Sequence, residues 1–138
     1  MYKHILIATD GSAPAEKAAT HALALASHLK TKVTAVMITP PKILATALGQ
    51  ELQTAATARA GQVLSGLRDA AAKANVPCVA LHVPDQFPAE GILEMAKAGG
   101  CDLIVMGAHG GHGLTDRLIG SQAIKVLMQS SVPVLIYR

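Results

Sequence analysis

Between Asp102 and Ser121 the chain reads DLIVMGAHGGHGLTDRLIGS, and most of its potential chemistry is concentrated there. Leu103 to Met106 form an unbroken apolar run, Gly107, Gly110, Gly111 and Gly113 make a loop nearly free of side chains, and Gly120-Ser121 precede a helical pattern. Strand, loop and helix in that order leave the first N–H groups of the helix unpaired, and such groups bind anions, a phosphate foremost. Glycines at 107, 110 and 120 would let main-chain N–H groups approach phosphate oxygens without a side chain intervening, and Ser121 adds a hydroxyl at the helix N-terminus. Each charge-assisted hydrogen bond contributes about 1.5–3 kcal/mol, so roughly three or four suffice for micromolar binding after association costs.

Other reactive groups are sparse. Asp10, His109 and His112 are the candidates for a general base, and none has a visible orienting partner, so no catalytic residue is assigned. His109 and His112 are spaced as HxxH, but without nearby Cys or Glu they read as solvated or phosphate-facing, and no metal site is expected. Arg117 reads as a surface or interface charge. No Gly-x-x-x-x-Gly-Lys followed by Ser or Thr occurs, and Asp116 stands where the dinucleotide fingerprint needs its third glycine.

The elements that must position this loop follow from periodicity. Ile5 to Thr9 reads as a buried strand ended by Asp10-Gly11-Ser12, with Ser12 as a helix cap and Pro14 in the first turn. Ala15, Ala18, Ala19, Ala22, Leu25, Ala26 and Leu29 then share one helical face. Val33 to Ile38 is a second strand, stopped by Pro40-Pro41. Residues 42 to 50 carry no readable pattern. Leu52, Ala56, Arg59, Val63, Leu67 and Ala71 mark a long helix, Val76 to Val83 a third strand, and Pro88 to Ala98 a helix stopped by Gly99-Gly100. The strand at Leu103 to Met106 follows, then a helix carrying Ala123, Ile124, Leu127 and Met128, and a last strand from Val132 to Tyr137.

Strands alternating with helices predict a single α/β domain over residues 1–138, an open five-stranded parallel sheet with right-handed crossovers and helices on both faces, Rossmann-like. In order 3-2-1-4-5, Thr9-Asp10 and the loop after Met106 flank the crevice where the winding reverses. Composition agrees: 51% of residues are hydrophobic and 15% charged, which suits a folded domain and not a disordered chain. A net charge of +3 comes from twelve scattered Lys and Arg, and aromatics are 2%, so no nucleic-acid surface is expected. Cys78 and Cys101 form no CxxC pair and read as reduced thiols of a reducing compartment. The apolar run Ile5 to Ala8 is too short for a signal peptide, and no stretch is long enough to span a membrane, so a cytoplasmic location is expected.

Gly107, two residues, Gly110, nine residues, then Gly120-Ser121 is a spacing that resembles the nucleotide-binding signature of the universal stress protein family, in its ATP-binding members. The opening KHILIATDGS, residues 3–12, and the closing Val132-Pro133-Val134-Leu135 are similar to the family's ends, whereas residues 42 to 60 add nothing. The resemblance implies ATP, or ADP or AMP, with or without magnesium, as ligand. It implies that Thr9 and Asp10 lie by the ribose or a phosphate-bound magnesium, that Ile38 offers its backbone to adenine, and that Met106, Gly107, His109, Gly110, Gly120, Ser121 and Gln122 surround ribose and phosphates. It further implies a homodimer through the edge strand Val132 to Tyr137, and a stress-response role in sensing or storing ATP state with at most slow hydrolysis. The alternative is a regulatory module of the same fold that dimerises and binds no nucleotide. Two departures leave the preference among ATP, ADP and AMP open. Gly111 and His112 follow the second glycine, where members often carry a basic residue, and Gln122 stands where a smaller residue is frequent.

Overall fold

A computed structural model of the chain describes residues 1–41, 45–109 and 119–138. The chain runs β1 (His4–Ala8), α1 (Ala13–Leu29), β2 (Lys32–Ile38), α2 (Ala47–Lys73), β3 (Cys78–Val83), α3 (Pro88–Gly99), β4 (Leu103–Gly107), α4 (Ser121–Gln129) and β5 (Val134–Tyr137). The strands form one sheet in order β3-β2-β1-β4-β5, and every pairing is parallel. This is the expected doubly wound α/β architecture. Among the described residues no helix is long and apolar enough to cross a membrane.

Period-two alternation divides the strand side chains between two cores. Ile5, Ile7, Val33, Ala35, Met37, Leu103 and Val105 point toward α1 and α2. Leu6, Ala8, Val36, Ile104 and Met106 point the other way, toward α3 and α4. The helix α1 buries Ala15, Ala18, Ala19, Ala22, Leu23 and Ala26, a nearly all-alanine face that lets its axis lie close to the strands. Its start is set as expected, since the Ser12 hydroxyl accepts from the Ala15 N–H at 3.4 Å and Pro14 occupies the first turn.

Two boundaries differ from the pattern-based expectation, each for a local reason. β3 begins at Cys78 and not at Val76, because the Val76 N–H turns back to the Ala71 carbonyl at 2.9 Å to close α2 and Pro77 has no N–H to give. β5 begins at Val134 and not at Val132, whose N–H is taken by the Ser130 hydroxyl at 3.1 Å. On α2, Leu52 is 59% exposed although it continues the apolar stripe, because the burial of the 27-residue helix is concentrated at Ala60, Leu64, Leu67 and Ala71, with Gly49 the one buried residue near its start.

The chain enters the sheet through Asp102. Its two carboxylate oxygens accept the Lys3 and His4 N–H groups at 2.9 and 3.0 Å. Partial burial pushes this carboxyl up, but the N–H groups of Lys3, His4 and Asp102 itself outweigh that and hold it below the ordinary carboxylate range. A depressed folded-state value adds stability above the unfolded pKa, and that contribution is lost as pH falls through the folded one. Asp102→Asn is therefore expected to melt below the wild type at pH 7, with the gap closing as pH drops below about 4. Melting curves at pH 7, 5 and 3 check this.

Candidate functional site

A cavity of about 350 Å³ opens at the carboxyl ends of β1, β2 and β4, on the sheet face that carries α3 and α4. Its floor is Ala8, Val36, Ile38 and Met106, and Pro40, Pro88 and Ile92 extend an apolar wall on the β2 side. On the β4 side stand Gly107, His109, Gly120, Ser121, Gln122 and Ala123, with Thr9, Asp10 and Ala15 between. Of the ten residues singled out from the sequence, Thr9, Asp10, Ile38, Met106, Gly107, His109, Gly120, Ser121 and Gln122 are thus brought around one hollow. Gly110 lies outside the described residues, as do Gly111, His112, Gly113 and Arg117.

The end of β2 contributes bare main chain. Along a parallel strand the N–H and C=O of one residue point to the same side and alternate with the next. Val36 faces β1, since its carbonyl accepts the Thr9 N–H at 3.0 Å, and Thr39 faces β3, since its N–H donates to Val83. Ile38 therefore turns its N–H and C=O toward β1, whose pairing with β2 has already ended at Ala8 and Val36. Both groups are left facing the crevice. The Ile38 side chain packs on α3, where a Cβ at Gly91 would stand 2.9 Å from Ile38 Cγ2, so that glycine is what lets the helix seat so closely.

Asp10 occupies the turn between β1 and α1. Its Oδ1 accepts the Ser12 N–H at 2.9 Å, its carbonyl accepts from Arg59 Nη1 at 2.7 Å, and the Thr9 hydroxyl accepts the Gly11 N–H at 3.1 Å. Gly11 has φ of 78°, in the left-handed region that glycine adopts without strain.

The cradle differs in detail from the sequence-based expectation. The Gly120 N–H does not face outward but donates to the Ala108 carbonyl at 2.7 Å, tying together the two ends of the loop. Gly107 is small because α1 crosses it: a Cβ there would stand 3.2 Å from the Pro14 carbonyl carbon and oxygen. The outward donors belong to the first turn of α4, where the N–H groups of Ser121, Gln122 and Ala123 have no partner among the described residues and the Gly120 cap supplies no side chain. The positive end of the helix dipole lies there too.

Gln122 plays a part that no local signal announces. α3 has no side-chain cap from Phe87, and Gln122 Oε1 accepts the Ala89 N–H at 3.0 Å from across the cavity. One side chain thus fastens the starts of α3 and α4 to each other. Gln122→Ala leaves that N–H without its cap and is expected to lower stability by about 1 kcal/mol, measurable as a shifted urea midpoint at unchanged slope. Among the described residues no three of His, Cys, Asp and Glu gather to hold a metal.

A sequence model of the universal stress protein family matches residues 1–138. Universal stress protein MJ0531 of Methanocaldococcus jannaschii is 34% identical over an alignment covering all of this chain and 83% of that protein. The structure of universal stress protein UspA from Lactobacillus plantarum superposes with a TM-score of 0.89 at 24% identity, covering 99% of this chain and 98% of that one. The universal stress protein of Archaeoglobus fulgidus, solved in complex with dAMP, does so with a TM-score of 0.76 at 21% identity, covering 99% and 98%. Over the whole of its sequence, then, this chain belongs to the universal stress protein family.

Proposed function

We propose that this protein binds an adenine nucleotide in the cavity at the ends of β1, β2 and β4, and serves as a cytoplasmic stress-response sensor or store of ATP state. The observation that carries the reading is the pairing of opposite chemistries in one hollow. An apolar wall beside the N–H and C=O of Ile38, unpaired among the described residues, suits a flat heteroaromatic base with a donor and an acceptor on its edge. Three N–H groups at the start of α4, without a partner among the described residues, suit a phosphate. The Asp10 carboxylate, between them, suits a ribose hydroxyl or a phosphate-bound magnesium. The volume is within the usual range of about 300–1,000 Å³ for small-molecule sites. Related folds were solved with cAMP, dAMP and AMP, which supports the same ligand class. In this reading hydrolysis is slow at most.

Heat-denaturing the purified protein and analysing the supernatant by mass spectrometry is expected to release adenine nucleotide. Titration with ATP, ADP and AMP in a calorimeter is expected to give micromolar binding. Protein that releases none, and that neither binds nor is thermally stabilised by any of the three, would instead be a regulatory module of this fold.

The same reading includes a homodimer through β5. Pro133 and Tyr137 turn their carbonyls to β4, accepting from Ile104 and Ala108, so the intervening Val134 and Ile136 point their N–H and C=O groups outward. The flanking α4 exposes Ile124, Leu127 and Met128 at three-and-four spacing. An antiparallel two-fold contact would cover both. Sedimentation at micromolar concentration is expected to give twice the chain mass of 14.2 kDa, and a 14.2 kDa species would overturn the dimer.

A further inference from the structure

Arg59 is an exposed residue on the α2 stripe that also carries Val63 and Leu67, and its long side chain is able to reach a polar partner. It finds one 49 residues back. Its Nη1 donates to the Asp10 carbonyl at 2.7 Å. Its Nη2 would stand 2.8 Å from a Cβ on Gly11, as would Val63 Cγ2, so guanidinium and valine together close over the bare backbone of that glycine. Among the described residues the one ion pair is Lys125 with Glu90, so Arg59 bonds the main chain of Asp10 and does not neutralise its carboxylate. The carboxylate is steadied separately by the Ser12 N–H on Oδ1.

We propose that Arg59 is a positioning residue of the nucleotide site: by gripping the Asp10 carbonyl from α2 it fixes the turn through Gly11 and aims the Asp10 carboxylate into the cavity. The inference rests on the nucleotide reading above and deepens it, since it assigns a determinant to a helix that contributes nothing to the cavity wall. A planar guanidinium holds a carbonyl and covers a glycine at once, which a lysine ammonium cannot do. The effect is transmitted through Asp10, on the ribose side, so it does not depend on how many phosphates the ligand carries.

The test uses the full-length protein and the variants Arg59→Met and Arg59→Lys. Arg59→Met is expected to weaken AMP and ATP by the same factor, about 10-fold, the loss typical of one hydrogen bond to a charged group. In the absence of ligand it is expected to speed amide hydrogen exchange at Gly11 and Ser12, with a melting temperature within a few degrees of wild type. Arg59→Lys is expected to recover part of the affinity by restoring a single donor. Unchanged affinity in Arg59→Met, or unchanged exchange at the turn, overturns the proposal. In magnesium-free buffer, where the Asp10 carboxylate can meet only the ribose, a loss confined to ATP overturns it as well, because it would mean direct contact between guanidinium and terminal phosphate. A wild type that binds neither nucleotide overturns the underlying reading, and the ligand-free exchange data then decide separately whether Arg59 holds the turn.

Discussion

Gly120→Val is expected to reduce nucleotide affinity by at least about 100-fold, more than any other single change at the site. A Cβ at this buried position would stand 3.3 Å from His109 Cα and 3.5 Å from the Ala108 carbonyl oxygen, so the first added carbon already presses on backbone that cannot rotate away. The two methyl groups of valine must then part residues 108 and 120, breaking the 2.7 Å bond that joins them and tilting the first turn of α4. Overpacking of this kind costs about 1–3 kcal/mol of stability, and the three N–H groups of Ser121, Gln122 and Ala123 lose their common aim. Calorimetry reads the affinity and a melting curve the stability. Retention of wild-type affinity would show that the start of α4 does not hold the ligand.

The largest effect on stability is expected from Ile104→Ala. Ile104 is fully buried on the inner strand β4, beneath α3 and α4, and it also borders a second hollow of about 160 Å³ near Cys101 and Val132. Truncation would enlarge a void that already exists between two helices and the sheet, so the walls have little slack with which to close it. A cost of about 3–4 kcal/mol follows from the usual range for such changes, equivalent to a fall of about 10 °C in Tm for a chain of this size. Because Ile104 does not line the cavity at the ends of β1, β2 and β4, the nucleotide affinity measured well below the melting range is expected to stay close to wild type.

The sheet and its order were legible because each buried strand is an apolar run and each helix carries its own signals, as Ser12, Pro14 and the alanine stripe do for α1. The crevice followed from that order. Leu52 does lie on the long helix that its spacing marks, yet it is exposed, because a three-and-four pattern records the face of a helix and not how deeply each turn is buried. The start of α2 carries its own signal in Thr46, whose hydroxyl accepts the Gly49 N–H at 3.2 Å, although no apolar stripe accompanies it there. Gln122 capping Ala89 and Arg59 holding Asp10 had none, since each joins residues 33 and 49 positions apart and depends on where whole helices lie. The glycine spacing did not reveal which N–H groups face the hollow: Gly107 and Gly120 are small to admit other backbone, and the N–H groups without a partner among the described residues are those of Ser121, Gln122 and Ala123, after the second of them.

The two margins of the sheet are not alike. On β3, Pro77 and Val83 give their carbonyls to β2, so Ala80 in the middle turns outward, and there Arg68 Nη2 donates to its carbonyl at 2.9 Å. On β5 no side chain among the described residues hydrogen-bonds the outward main chain of Val134 or Ile136, as Arg68 does on β3. Head-to-tail stacking, β5 of one molecule onto β3 of the next, would propagate without limit into fibres, and the arginine stands in its way. Growth by strand addition is left with a single terminus, and two such termini that meet extinguish each other.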